Sequence, residues 1–265
     1  MVTATEGHLS TGLPFLKVGD GPPLVVAAGL TAEHENPAGA WRKRALSWAE
    51  PFARHFTVYL VNRRPGLPPD VTLADIAADY AGAIEQDLGG SAYVHGTSTG
   101  GSVALQLAID RPELVRRLVV CASACTLSPG GKKVQLEVAR LAERGEGRRA
   151  AATMIEFLFP GQLKYAGRGF GWLIGGSFAA DDPTDMVRTI IAEDAFDAEA
   201  DLGRITAPTL VIGGADDPFY SVDLFERTAA GIPDGRAVVV PGKSHMYVAA
   251  SKETAALALG FLLAE

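Results

Sequence analysis

One stretch near the middle of the chain decides the fold, and it reads Ser91-Ala92-Tyr93-Val94-His95-Gly96-Thr97-Ser98-Thr99-Gly100-Gly101. Its first part is short, apolar and β-prone, as a buried strand should be. Residues 96–100 then have the spacing G-x-S-x-G, and a helix-like run follows from residue 102 to residue 110. We therefore predict a sharp strand-to-helix turn, because small residues two positions either side of Ser98 let the chain bend tightly. Such a turn lifts the Ser98 hydroxyl clear of the sheet, at the positive end of the helix.

The glycines of this turn do not match the common phosphate-binding patterns. No Lys follows them as G-x-x-x-x-G-K-[ST] requires, and the segment does not read G-x-G-x-x-G. A five-residue pattern also occurs by chance. The interpretation of Ser98 as a nucleophile therefore requires an acid and a His later in the chain, in that order.

The chain on either side alternates strands and helices. One or two short antiparallel strands are predicted within residues 8–18, and apolar strands at 24–28, 56–61, 116–122, 207–212 and 237–240. Helices are predicted at about 40–54, 72–88, 221–230 and 247–263, the second capped by Thr72 with Asp75 three residues on. Near-continuously apolar strands in this alternation indicate an α/β fold with a mostly parallel sheet covered on both faces. Ligands bind such sheets at the carboxyl ends of the strands, where Gly29-Leu30 and Ser98 should lie.

Residues 126–204 interrupt the alternation. They contain no convincing strand, and helices are predicted at 134–142, 150–159 and 184–193. We interpret the segment as a helical cap inserted into a core of residues 1–125 and 205–265. Its early basic and late acidic residues are interpreted as solvated faces. Four aromatic residues either line a substrate pocket or form the core of the cap: Phe157, Phe159, Phe170 and Trp172.

Length and composition exclude several classes of function. The 265 residues suffice for one sizeable α/β domain with an inserted subdomain. A formal charge of -7 argues against nucleic acid as a partner, since phosphate binding needs a basic footprint. The first ten residues are polar, and the first apolar run, residues 24–30, is too short to span a membrane, so we expect a cytoplasmic protein. Cys121 and Cys125 lie too close for a structural disulfide and lack further Cys for a zinc site, which favours buried free thiols.

A serine nucleophile needs a base, and His is the natural choice near neutral pH. Of the five histidines, His245 follows a predicted strand through a flexible loop and should emerge at the sheet edge that carries Ser98. His95 lies on the strand side of the turn, so its ring should point away from the hydroxyl. The acid has two candidates, Asp216 and Asp217, after the strand that ends at Ile212.

With Ser98, an Asp and His245 in this order, the chain resembles the α/β-hydrolase superfamily over nearly its whole length. The matching segments are Gly96 to Gly100, residues 207–218 and residues 242–245. In that family the acid usually stands three residues after the loop glycine, which implies Asp217, with Asp216 as the alternative. The resemblance also implies an oxyanion hole formed by the backbone N–H groups of Leu30 and Thr99.

Two loops differ from the usual pattern of that family. Ala28-Gly29 stands where relatives often have His-Gly, and Asn62-Arg63-Arg64-Pro65-Gly66 stands where they often have Asp-x-Arg-Gly. Neither difference removes a group expected to be catalytic. A Ser nucleophile also differs from the Asp of haloalkane dehalogenase and epoxide hydrolase relatives.

The resemblance implies a serine hydrolase that cleaves an ester or related acyl bond of a small, largely apolar substrate, with no metal or cofactor. Carbon–carbon bond or lactone hydrolysis with the same triad is an alternative, and so is cofactor-free haloperoxidase-like activity. A non-hydrolytic ligand-binding or biosynthetic protein of the same fold is a further alternative, because fold does not fix function.

Overall fold

A computed structural model of the chain describes residues 4–159 and 182–264. The strands in chain order are β1 (Thr5–His8), β2 (Pro14–Val18), β3 (Pro23–Ala27), β4 (Thr57–Val61), β5 (Ala92–Thr97), β6 (Val115–Cys121), β7 (Thr209–Gly214) and β8 (Gly235–Val240). In the described residues they form one eight-stranded sheet with the spatial order β1-β2-β4-β3-β5-β6-β7-β8. In this spatial order, all pairs from β4 to β8 are parallel, whereas β2 is antiparallel to both of its neighbours, β1 and β4. The prediction of a mostly parallel sheet is confirmed.

Helices cover this sheet. In chain order they are α1 (Gly39–Ala49), α2 (Leu73–Asp87), α3 (Thr99–Asp110), α4 (Pro129–Glu143), α5 (Gly147–Leu158), α6 (Thr184–Asp194), α7 (Val222–Gly231), α8 (His245–Ala250) and α9 (Lys252–Leu263). The predicted cap of α2 is present, since the Thr72 Oγ1 accepts from the Asp75 N–H while the Asp75 carboxylate accepts from the Thr72 N–H. No helix in the described part of the chain is both long enough and apolar enough to cross a membrane.

The side chains of the central strands alternate between two apolar layers, one on each face of the sheet. In β3, Val25 and Ala27 pack into a cluster that includes residues of α2 and α3. Leu24 and Val26 pack into a second cluster on the other side, with residues of α9. Both faces of the sheet are therefore buried at its central strands, which explains why those strands are almost continuously apolar.

The register of the parallel strands brings their carboxyl ends to one edge. Ala27 at the end of β3 pairs with Gly96 near the end of β5. On the other side of β5, Thr97 pairs with Cys121, which in turn pairs with Ile212 of β7. The loops that follow β3, β5 and β7 consequently leave the sheet at the same edge, with β6 between β5 and β7.

Helices α4, α5 and α6 occupy the position between β6 and β7 where the cap is predicted. They share an apolar cluster, against which Leu30 from the loop after β3 also packs. The boundaries of the cap at residues 125 and 205 stay a prediction. The late acidic residues of this segment do not all form a solvated face, because the Asp185 carboxylate accepts the backbone N–H groups of Gly66 and Leu67, both at 2.8 Å.

Several element boundaries differ from the predictions, and capping explains two of them. The helix predicted at 247–263 is two helices, because Ser251 ends α8 and its Oγ accepts the Thr254 N–H at the start of α9. Likewise α4 begins at Pro129 rather than near residue 134, since Ser128 caps it and proline is tolerated in the first turn. Both cysteines are buried and free, as predicted.

Candidate active site

Ser98 lies on a strained turn between β5 and α3. Its backbone has φ 53° and ψ -127°, a region that residues other than glycine rarely adopt. The bend is tight: a Cβ on Gly96 would lie 2.3 Å from the Gly100 carbonyl oxygen, and a Cβ on Gly100 would lie 2.2 Å from that of Ala27. The Ser98 N–H donates to the Cys121 carbonyl at 2.9 Å, which ties the turn to β6. The half-buried Ser98 therefore directly precedes the first residue of α3, as the G-x-S-x-G spacing predicts.

His245 reaches Ser98 from the far end of the sequence. It is the first residue of α8, it is 5% exposed, and its Nε2 lies 3.2 Å from the Ser98 Oγ. The loop before it is held close to the end of β7. The Asp216 N–H donates to the Lys243 carbonyl at 3.0 Å, and a Cβ on Gly214 would lie 2.2 Å from that oxygen. Glycine at position 214 thus allows the approach that carries His245 to the turn.

Asp217, in the loop after β7, binds the other ring nitrogen of His245. Its Oδ2 lies 2.8 Å from the His245 Nδ1, and its Oδ1 accepts the N–H groups of Phe219 at 2.8 Å and Tyr220 at 3.2 Å. Asp216, the alternative acid, is exposed. Because an ionised carboxylate only accepts hydrogen bonds, Nδ1 carries the ring proton and the Nε2 lone pair faces the serine hydroxyl. The arrangement can therefore remove the serine proton.

Two further buried histidines have other partners. The ring of His95 packs against Trp48 and Phe52, with centroid distances of 5.2 and 6.3 Å, and burial lowers its pKa to about 4. His34 accepts a hydrogen bond at its Nε2 from the Arg63 Nε, 3.1 Å away. Burial, reinforced by the charge of Arg63, lowers the pKa of His34 to about 4. Both rings are consequently neutral near pH 7.

The two backbone N–H groups expected to bind an oxyanion belong to segments that flank Ser98. Thr99 is the first residue of α3, where N–H groups have no partner within the helix. Leu30 lies in the loop after β3, next to Gly29. That loop lies against the turn, since a Cβ on Gly29 would be 3.5 Å from the Ser98 Cβ. The role of the two N–H groups as donors stays a prediction.

A buried arginine that sequence reasoning does not assign to the site holds the loop after β3. Arg63 is 0% exposed. Its Nη1 donates to the Ala28 carbonyl at 3.0 Å, and its Nη2 donates at 3.0 Å to both the Gly29 carbonyl and the Thr31 Oγ1. One feature of the sequence does point to Arg63: it belongs to one of the two loops that differ from the usual pattern of the family.

A buried glutamate, also missed by sequence reasoning, ties α6 to the start of α3. Glu193 is 0% exposed, and its carboxylate accepts hydrogen bonds from the Thr99 Oγ1 at 2.8 Å and the Ser102 Oγ at 3.0 Å. Burial raises the pKa of Glu193, while hydrogen bonds from Thr99, Ser102 and Gln135 partly oppose that rise. In the sequence it is one acidic residue near a helix end, without a motif to distinguish it.

The predicted cap aromatics are only partly within the described residues. The Phe157 ring packs against the Phe219 ring with a centroid distance of 4.9 Å, and Phe219 lies 5.0 Å from the imidazole of His245. Phe159 is 43% exposed at the end of α5. Phe170 and Trp172 lie outside the described residues. Phe157 is therefore one ring away from the imidazole, whereas pocket lining by the four residues as a set stays a prediction.

A metal ion needs several donor side chains close together. Within residues 4–159 and 182–264, no three or more His, Cys, Asp or Glu side chains are grouped so that they could hold one.

The geometry of the turn and its partners can be compared with known proteins. A sequence model of the alpha/beta hydrolase family matches residues 24–257. A curated relative from Variovorax paradoxus, named "Putative carbamate hydrolase RutD", is 27% identical over 237 residues, which are 86% of each chain. A second protein of that name, from Serratia proteamaculans, is 28% identical over 264 residues and 91% of each chain.

Solved structures agree with the fold. The alpha/beta hydrolase enzyme MGS-M2, from a Medee basin deep-sea metagenome library, superposes with a TM-score of 0.81 at 20% identity, covering 96% of this chain and 94% of that one. Since the family's sequence model spans most of the chain, from residue 24 to residue 257, the chain belongs to the alpha/beta hydrolase family.

Proposed function

We propose that this protein is a serine hydrolase that cleaves a carboxylic ester, or a related acyl bond, of a small and largely apolar substrate through an acyl-enzyme. One observation carries the proposal: a continuous line of hydrogen bonds runs from Asp217 through His245 to Ser98. Membership of the alpha/beta hydrolase family and the names of its curated relatives support hydrolysis as the class of reaction.

The first step forms the acyl-enzyme. The Nε2 of His245 takes the Ser98 proton as Oγ attacks the substrate carbonyl carbon, and Asp217 stabilises the resulting imidazolium. Asp217 can do this with a fixed orientation, because two backbone N–H groups hold its other oxygen. A positioned general base of this kind typically contributes a factor of about 10² to 10⁴ in rate.

The negative charge of the tetrahedral intermediate develops on the former carbonyl oxygen. The N–H groups of Thr99 and Leu30 are the proposed donors to it, and the start of α3 adds the favourable potential of a helix N-terminus. Loss of one such donor typically raises the barrier by about 2.7–4 kcal/mol. His245 then protonates the leaving group, and later removes a proton from the water that releases the acid and restores Ser98.

The surroundings of His245 favour an apolar substrate. The ring of Phe219 lies 5.0 Å from the imidazole and that of Tyr220 lies 6.1 Å from it, and Phe157 extends the aromatic wall. The half-buried side chain of Leu30 lies on the cap side of the turn. These groups offer apolar contacts to an acyl or alcohol moiety.

A carbamate is the second candidate substrate. Curated relatives at 27–28% identity are named as carbamate hydrolases, and a carbamate presents the same carbonyl carbon to Ser98. Its nitrogen lone pair delocalises into the carbonyl, which makes that carbon less reactive than the carbon of an ester. Ester and carbamate substrates with a common leaving group therefore separate the two candidates.

The test is hydrolysis of p-nitrophenyl acetate and butyrate and of the matching p-nitrophenyl N-alkylcarbamates. The expected result is turnover that Ser98→Ala abolishes with an unchanged circular dichroism spectrum. Ser91→Ala is the matched control, because Ser91 lies just before β5, at the opposite end from the turn, and its Oγ accepts a hydrogen bond from the Arg116 Nε at 2.9 Å. Wild-type turnover retained by Ser98→Ala would overturn the mechanism, and inclusion of lactones in the panel tests lactone hydrolysis as an alternative.

A further inference from the structure

The loop after β3 is held by a buried cation. Arg63 follows β4, its side chain is fully buried, and none of its four described contacts is a carboxylate. Burying a charge is costly unless its hydrogen bonds are satisfied. Here the guanidinium donates to two carbonyls, one hydroxyl and one imidazole, and all four belong to residues 28–34. The hydrogen bonds of the guanidinium thus hold this loop, and none of these four bonds is part of an ion pair.

One of these contacts bears on the candidate oxyanion hole. The Gly29 carbonyl and the Leu30 N–H belong to the same peptide group, and in a trans peptide they point in opposite directions. The Arg63 Nη2 binds that carbonyl at 3.0 Å. Fixing the carbonyl on the side of the guanidinium therefore directs the Leu30 N–H to the other side, while Gly29 lies against Ser98.

The charge has an effect beyond orientation. A hydrogen bond from a cation to a carbonyl is stronger than a neutral one, and it polarises the peptide so that its N–H becomes a better donor. Both effects are present before substrate binds. A donor held in place in this way needs no reorganisation when negative charge develops.

The neighbours of Arg63 keep its fork in one orientation. The Nδ1 of His34 binds the Arg64 carbonyl at 3.1 Å, which leaves the Nε2 to accept from the Arg63 Nε. The Asn62 side chain donates to the carbonyls of Glu33 and Glu35, both at 3.1 Å, and so fixes the same loop from the adjacent position.

We propose that Arg63 is a positioning residue for acyl transfer: its guanidinium holds the Gly29–Leu30 peptide so that the Leu30 N–H binds the oxyanion formed at Ser98. This inference rests on the proposed function. It assigns to the fork of Arg63 a task that a point charge performs poorly, since lysine cannot reach two adjacent carbonyls and a hydroxyl at once.

The variants Arg63→Lys and Arg63→Met test the proposal, with Arg64→Met as the matched control. Arg64 is the next residue, and its side chain pairs with Asp79 at 2.7 Å instead of with the loop. For p-nitrophenyl butyrate, we expect kcat to fall by about 10-fold to 10²-fold in Arg63→Lys and by about 10²-fold to 10³-fold in Arg63→Met, the range for loss of one oxyanion donor. KM should stay within about threefold, and Arg64→Met should match wild type.

A merely structural role is distinguished by inhibitors. An alkyl trifluoromethyl ketone forms a tetrahedral adduct with an oxyanion, whereas butyrate binds as a ground-state product. For the Arg63 variants, the inhibition constant of the ketone should rise by the same factor by which kcat/KM falls, and that of butyrate should not change. If Arg63→Lys folds as wild type and both kcat and the ketone constant stay within twofold, the inference is overturned.

A wild-type measurement covers the case in which the Arg63 variants fail to fold. In ¹⁵N-labelled protein, the Leu30 amide proton should shift downfield when the ketone adduct forms, and an unmoved Leu30 resonance in a formed adduct overturns the inference. Failure of the proposed function looks different, since wild type would then neither hydrolyse the esters nor form the adduct. In that case the Leu30 amide shift of the free protein still reports whether Arg63 holds the Gly29–Leu30 peptide. A change of this shift in Arg63→Lys supports that contact, and an unchanged shift overturns it.

Discussion

Replacement of Asp217 by asparagine removes both the charge and the imidazole orientation that the proposed mechanism assigns to this residue. The new side-chain amide could place either its oxygen or its NH₂ toward the Nδ1 of His245. The backbone N–H groups of Phe219 and Tyr220 donate to the other position, so they require an acceptor there. The asparagine oxygen therefore occupies that position and the NH₂ faces the imidazole, which must then accept at Nδ1 and carry its proton on Nε2.

The size of the effect follows from the cost of the alternative. Turning the amide over would leave two buried N–H donors without acceptors, at about 1–3 kcal/mol each, so the productive orientation is populated at about 3% or less. Loss of the charge that stabilises the imidazolium removes roughly 2 kcal/mol more, the usual strength of a charged hydrogen bond. The two effects together predict a fall in kcat of at least about 10³-fold, and the corresponding substitution in serine proteases gives about 10⁴-fold.

The assay is the initial rate of p-nitrophenyl butyrate hydrolysis at pH 7 to 8, with thermal melts to verify folding. Asp216→Asn is the control, because the Asp216 side chain is exposed while its backbone N–H contact to Lys243 is unaffected. It should keep wild-type kcat. A folded Asp217→Asn variant whose kcat falls less than tenfold, or a large fall in the kcat of Asp216→Asn, would show that Asp217 is not the residue that orients His245.

Three further predictions concern stability. Gly100→Ala places a Cβ 2.2 Å from the Ala27 carbonyl oxygen and should lower the free energy of unfolding by about 3 kcal/mol or prevent folding. Gly203→Ala, whose Cβ would have no described atom within 4 Å apart from its chain neighbours, should stay within about 0.5 kcal/mol of wild type in urea titrations. Burial raises the pKa of Glu193 above its unfolded value of 4.5. The contribution of Glu193 to stability is therefore full below pH 4.5 and is lost as pH rises through the folded pKa. Glu193→Gln should gain stability relative to wild type as pH increases above 4.5. Burial lowers the pKa of His95 from 6.5 to about 4, so stability present above pH 6.5 is lost as pH falls toward 4. In melts between pH 4 and 7, His95→Phe should reduce that loss by on the order of 3 kcal/mol. The control His55→Gln, at an exposed position, should leave the loss unchanged.

Each of these predictions has a contrary outcome. Wild-type stability in Gly100→Ala would mean that the turn can relax. A stability difference between Glu193→Gln and wild type that is constant from pH 4.5 to 8 would mean that Glu193 is fully ionised at no cost. An acid-sensitivity curve of His95→Phe that superposes on wild type would assign the loss of stability to other groups.

Local patterns in the sequence were sufficient for the parts of the site that depend on neighbouring residues. The turn at Ser98 could be predicted because its glycines lie two residues away, and their need to be small is visible without knowledge of the rest of the fold. His245 could be predicted because the carboxyl ends of parallel strands must share one edge. That rule predicts that the loop of His245 lies near Ser98, although the two residues are 147 positions apart in the sequence.

The same local patterns could not identify Arg63 or Glu193. Arg63 contacts a loop 29 to 35 residues earlier, and Glu193 contacts residues 91 and 94 positions earlier. Neither contact leaves a periodicity or a spacing in the sequence. Both depend on how loops and α6 pack over the sheet edge, and this packing is a property of the assembled fold.

Residues near helix ends show the same limit on a smaller scale. The cap at Thr72 can be predicted because Thr and Asp three residues apart form a recognisable capping box. Ser128 and Ser251 also cap helices, but each lies in a run where other residues fit a helix equally well. The hydrophobic pattern of the sequence therefore predicts where a helix lies, but it does not predict which residue caps the helix.

In the proposed mechanism, Ser98 is acylated during turnover. The most direct measurement is peptide mass spectrometry after rapid acid quenching of the enzyme during p-nitrophenyl butyrate hydrolysis. The expected result is one butyryl group per chain, on the Ser98 hydroxyl, absent from Ser98→Ala and accumulating in single turnover before the acid is released. Steady hydrolysis with an unmodified Ser98, or a butyryl group on another residue that forms and decays at the turnover rate, would contradict it.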